Sequence, residues 1–142
     1  MYSYKRIGSR YIVSIDNHTE IIGALSSFCN ETRILSGAIS GIGAVSEMTL
    51  RFFNPDTKAY EDKCFKEQME IANLIGNISS LDDKVYLHIH VTAGRSDYSA
   101  VAGHLLSAVL NGAGEFVIED FGGRLRRKFS PDLGLNIYDF RQ

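Results

Sequence analysis

The chain has no tryptophan, only two prolines and only two cysteines in 142 residues. So little proline leaves no proline-rich linker, and no low-complexity stretch or repeat marks a joint between domains. Two unclustered thiols, Cys29 and Cys64, exclude a disulfide scaffold and suit a reducing compartment, where each reads as a packed or half-exposed side chain. No run approaches the roughly 18 apolar residues of a membrane span. Met1-Tyr2-Ser3-Tyr4-Lys5 lacks the apolar core of a signal peptide. A cytoplasmic location with no membrane partner is therefore expected. Charge of one sign is also scarce: 15 basic against 17 acidic residues leave a net −2, with no global attraction to a phosphate backbone. Three familiar motifs are missing as well. No third glycine opens a helix after Gly41-Ile42-Gly43, there is no phosphate-binding G-x-x-x-x-G-K-[S/T], and no serine stands in a G-x-S-x-G elbow.

What remains is an ordinary globular composition, 44% hydrophobic and 23% charged, long enough for one core and too short for two. A single domain over 1–142 is expected. Residues 10–15 alternate as a strand, and Asn17 or Thr19 can cap a helix over 20–30 whose Ile21, Ile22, Leu25 and Phe28 share a face. Residues 34–46, with Gly37, Gly41 and Gly43 among β-branched neighbours, predict a strand with a bulge or close backbone approach, and 47–53 continue it. Asn54-Pro55-Asp56-Thr57 is a turn returning through 59–68. Strands over 70–79 and 84–91 flank Leu81-Asp82-Asp83, a second helix is expected over 100–110, and strands over 115–120 and 124–129 flank Phe121-Gly122-Gly123. The pattern predicts an α+β fold, a mainly antiparallel sheet with two helices.

Three of the four histidines cluster: His88-Ile89-His90, then His104 in Ala102-Gly103-His104-Leu105-Leu106. On a strand, Val85, Leu87, Ile89 and Val91 make one apolar face and Tyr86, His88, His90 and Thr92 the other, so both imidazoles point away from the core. A helix starting near Ser99 could fold back and carry His104 to the same spot. Three histidines with one open position form a catalytic-type zinc arrangement, since structural zinc sites are usually closed by four protein ligands. A polar sheet face or a subunit interface would use the same His88/His90 pair, and His18 reads as a surface residue. The run Arg124, Arg126, Arg127 and Lys128 could contact nucleic-acid phosphate, although charge on an edge strand also guards against aggregation, the reading preferred here.

These segments carry a resemblance. Leu87-His88-Ile89-His90-Val91, the polar loop Gly94-Arg95-Ser96-Asp97, and Gly103-His104-Leu105-Leu106 resemble the signature of the plant and prokaryote conserved (PPC) domain. The likeness continues through the glycine-rich 36–45, through 70–78 and through the closing 133–140, with Ala102 where the family usually has glycine and Met69 in place of an aromatic. The resemblance implies a compact α+β protomer assembling as a homotrimer. Plant relatives pair the domain with an AT-hook, which gives prokaryotic members a DNA-binding label, but this sequence contains no Arg-Gly-Arg-Pro tract. The fold is also similar to that of acetolactate decarboxylases, whose zinc-binding H-x-H pair and later histidine carry over to His88, His90 and His104.

Two functions are thereby implied. The first is a trimeric, zinc-binding or other divalent-metal-binding module in DNA-associated regulation, acting through protein partners more than its own surface. The alternative is a small metalloenzyme on an anionic substrate, with Arg95 clamping a carboxylate and Glu67 or Glu70 as acid/base.

Overall fold

The computed structural model describes residues 1–141. Its elements in order are β1 (Tyr2–Ile7), β2 (Arg10–Ile15), α1 (Ile21–Thr32), β3 (Gly37–Asn54), β4 (Ala59–Phe65), β5 (Met69–Leu81), β6 (Lys84–Gly94), β7 (Ala100–Asp120), β8 (Arg126–Ser130) and β9 (Leu135–Asp139). Strand β2 is the one its alternation predicts: Tyr11, Val13 and Ile15 are buried while the residues between them are exposed.

The helix over 20–30 forms, one residue later than expected. Its cap is neither Asn17 nor Thr19 but Glu20, whose carboxylate accepts from the Ile22 and Gly23 amides at 2.9 and 2.6 Å. The other two candidates are engaged elsewhere. Asn17 Oδ1 accepts from the Gly112 amide at 2.9 Å, and Thr19 Oγ1 from the α-amino group of Met1 at 3.0 Å. Glu20 also accepts from the Ala108 amide at 3.2 Å, tying the helix start to β7. The helix buries Ile21, Ala24, Leu25, Phe28 and Cys29, spaced three and four residues apart as one face requires. Phe28 is fully buried with the edges of Tyr2, Tyr4 and Tyr11 around it at 5.1 to 5.8 Å between centroids. Aromatic anchors of this kind typically cost about 3–5 kcal/mol when cut to alanine.

The second helix expected over 100–110 does not form; the described residues hold one helix, and 100–110 are the first half of the 21-residue strand β7. The apolar spacing that suggests a helix has another cause. The β3–β7 register slips between Thr49 and Leu50, so Leu105 and Ala108, three residues apart, are both buried. A β-bulge thus imitates helical periodicity.

The nine strands of the described residues join one sheet. Pairing is antiparallel except where β8 meets β5 at Ser80↔Arg126 and where Leu35 bridges Arg124, so the sheet is mixed, not wholly antiparallel. Strands β3, β5, β6 and β7 pair in a closed circuit, β3 with β5, β5 with β6, β6 with β7 and β7 with β3. The close approach expected of the glycine-rich strand is present, with a register shift between Gly41 and Gly43. A Cβ on Gly41 would lie 2.3 Å from Phe116 Cδ1, so only glycine leaves room for that fully buried ring. The apolar side chains of β6 face the core, with Ile89 and Val91 buried, which leaves the alternate face to the histidines. Among the described residues no helix is long and apolar enough to cross a membrane.

Candidate metal centre

The register places His90 directly opposite His104, the two being Cα partners across β6 and β7. His88 stands two residues earlier on the same face of β6. The three rings pack with centroids 5.2 to 5.3 Å apart, and one nitrogen from each lies within 4.8 Å of the other two. Nε2 of His88 and Nε2 of His90 are 3.3 Å apart. Two nitrogens bound tetrahedrally to one zinc at roughly 2.0–2.1 Å stand about 3.3 Å apart, so the pair already has the spacing of neighbouring ligands. The donor set fits a borderline divalent ion: three imidazoles and no cysteine, beside a cavity. His104 arrives on a strand, not on the helix expected for it, and still reaches the same point.

Electrostatics favour the neutral imidazoles that a metal requires. Burial, reinforced by His88, His90 and Arg51 and opposed by Asp62, pushes the His104 pKa down to about 4. Burial first, then Arg127 and His90, hold His88 below its ordinary value.

The surroundings of the histidines come from residues that the histidine motif does not flag. Arg51, the Cα partner of both His104 and Asp62, grips the Asp62 carboxylate in a fork of 2.9 and 2.8 Å. Its guanidinium stacks 4.7 Å from the centroid of Tyr60, and Tyr60 stands 6.0 Å from His104. On the other side Arg127 donates to Ser79 Oγ at 2.7 Å and to the Asn136 carbonyl at 2.9 Å, between the rings of Tyr86 and Tyr138. This fastens the β8–β9 hairpin beside the histidines. The result is a cavity of about 370 Å³ whose walls include Tyr60, Tyr86, Phe53, Leu135 and all three imidazoles.

Other expected residues lie elsewhere. Arg95 Nε is 3.1 Å from Glu67 Oε1 and the guanidinium stacks on Phe65, while Glu70 is exposed opposite Gly94; none of the three lines the cavity. His18 sits apart beside Asn17. In the basic run, Arg124 pairs with Asp83, Lys128 with Asp139 at 3.4 Å, and Arg127 is committed to the hairpin.

The domain model for the Plants and Prokaryotes Conserved domain matches residues 2–122. The chain belongs to this family. No functionally curated protein matches it. Among solved structures, a candidate DNA-binding protein from Bacteroides thetaiotaomicron is 70% identical over 100% of this chain and 99% of its own, with a TM-score of 0.98. A metal-containing protein from Archaeoglobus fulgidus is 29% identical, with 97% of each chain covered and a TM-score of 0.85. A Staphylococcus aureus protein similar to α-acetolactate decarboxylase shares the fold at 14% identity and a TM-score of 0.55, over 86% of this chain and 56% of its own.

The depressed histidines set a pH signature for the metal-free protein. The fold holds His104 neutral against an ordinary pKa of 6.5, so its contribution is complete above 6.5 and lost as pH falls towards about 4. The carboxylates with lowered values, Asp62, Asp97 and Asp139, titrate below 3.8, outside that window. Urea midpoints should therefore fall from pH 7 to pH 4.5, and His104→Gln should flatten the slope. Equal slopes in wild type and variant would show that His104 does not titrate this way.

Proposed function

We propose that the chain is a homotrimeric module of this family that binds a divalent metal, zinc by preference, through His88, His90 and His104, and serves DNA-associated regulation through its assembly and partners. The observation that carries the reading is the convergence of three imidazole nitrogens within 4.8 Å beside an open cavity. The metal-containing Archaeoglobus relative supports the metal, and the Bacteroides relative, a candidate DNA-binding protein, supports the regulatory setting. When bound, the metal would offer Lewis-acid character at its open position. The enzyme alternative loses its proposed helpers, because Arg95, Glu67 and Glu70 do not reach the cavity.

Elemental analysis tests the metal. The wild-type chain should carry close to one equivalent of zinc, His88→Ala should lose most of it, and His18→Ala should keep it. Zinc retained by His88→Ala would place the ion elsewhere.

The trimer draws support from an apolar face. Ile7, Ile12, Ile42 and Ile75 are 44 to 59% exposed, and the first three line a broad groove with Tyr4 and Val117. Apolar strand positions of this kind are what a closed cyclic assembly buries. Light scattering should return about three protomer masses, and Ile42→Glu should lower that mass; a monomer at micromolar concentration contradicts the assembly.

The possible nucleic-acid contact through Arg124, Arg126, Arg127 and Lys128 is weakened by the carboxylates beside it. Asp83 and Asp139 pair with members of the run, and the chain is acidic overall. Duplex DNA should bind more weakly than the roughly 10⁻⁸ M of specific complexes, with a shallow salt dependence. Anisotropy titrations at two salt concentrations decide this, and tight, sequence-selective binding by the chain alone would restore direct DNA recognition.

A further inference from the structure

The cavity beside the histidines has an unusual charge balance once a metal is counted. Three neutral imidazoles leave a divalent ion with its full double charge, and no Asp, Glu, Lys or Cys lines the cavity among the described residues. The one cation in its wall, Arg51, is already matched by Asp62. The site therefore lacks an anion, and in a half-buried setting that imbalance is stronger than in water. The rest of the lining is mainly ring and apolar surface: Phe53 tilts against Tyr60 at 5.1 Å between centroids, with Tyr86 and Leu135 completing the walls. At about 370 Å³ the space lies at the small end of ligand sites.

We propose that this cavity is a receptor site for a small aromatic monocarboxylate, its carboxylate on the open position of the metal and its ring between Phe53, Tyr60, Tyr86 and Leu135. The inference rests on the metal reading above and adds the ligand class. A carboxylate supplies the missing negative charge and a hard oxygen donor, while the ring replaces water against apolar walls. With no carboxylate or lysine in the lining to act as general base, the composition suits retention of the ligand more than its turnover.

Cobalt(II) substitution makes both layers visible. The full chain is loaded with cobalt, its stoichiometry measured, and its visible d–d bands followed while benzoate, acetate or benzyl alcohol is added. Benzoate should shift the bands saturably, acetate at least about ten-fold more weakly for want of a ring to bury, and benzyl alcohol not at all. Leu135→Trp, which fills the space, should remove the preference for benzoate over acetate without changing cobalt content. Phe53→Ala, at a lining residue from β3, should reduce it too and guards against a misfolded Leu135→Trp. Bands unmoved by benzoate at full cobalt loading, or equal affinity for benzoate and acetate, overturn the ligand class and leave the metal standing. Failure to load cobalt at all overturns both.

Discussion

Strand β7 pairs with β2, β3 and β6 along its 21 residues, and its antiparallel register against β6 fixes the site. Slipping that register by one residue would turn His104 to the opposite face and aim its neighbours at the histidines of β6. The register is held from both ends. On one side the buried run Phe116 and Ile118 is locked against β3, where Gly41 has no Cβ to obstruct the Phe116 ring. On the other, Gly103 faces Val91 and the strand turns back into β6 through the hydrogen-bonded loop after Gly94. The core therefore does more than stabilise the chain. It sets the spacing between imidazoles that sit on the far face of the same strands.

The site's chemistry follows from its surroundings in a similar way. Half-burial and neighbouring cations make protonation of His88 and His104 costly, and those cations are themselves restrained. Arg51 is neutralised by Asp62 and braced on Tyr60, while Arg127 is spread between two tyrosine rings and two oxygen acceptors. Neither arginine is a loose surface charge. Each is braced on aromatic rings and adds a repulsion that keeps an imidazole deprotonated, which is the form a metal ion takes.

Much of this was legible in the residues. Strand β2, the amphipathic helix, the long glycine-rich strand and the outward face of His88 and His90 all follow from period and turn chemistry, because in each case one face is buried and the other is not. The failures share one cause, interactions between segments distant in sequence. The helix cap went to Glu20 because Asn17 was drawn to Gly112 and Thr19 to the chain's first residue. The stretch after Ser99 reads as helix because a bulge against β3 places Leu105 and Ala108 on one side, and no local pattern reveals a bulge made by a partner strand. The same holds for Tyr60, Arg51 and Leu135, which surround the histidines through hairpins whose meeting point no single segment encodes. Arg127 reads as part of a basic surface run and is instead a clamp, since Tyr86 and Tyr138 come to it from elsewhere in the chain.

The β8–β9 hairpin lies beyond residues 2–122, the span the family model matches, whereas all three histidines lie within it. Leu135 and Asn136 from that hairpin nonetheless form one wall of the cavity. Ligands and wall thus sit on separately anchored segments. Mutation in the hairpin can reshape what reaches the imidazoles without disturbing the strands that hold them, and the hairpin leans on the sheet by side-chain contacts plus a single bridge between strands. What the site admits is set by a segment other than the strands that hold its nitrogens, much as a lock is rekeyed by changing the cylinder and leaving the bolt.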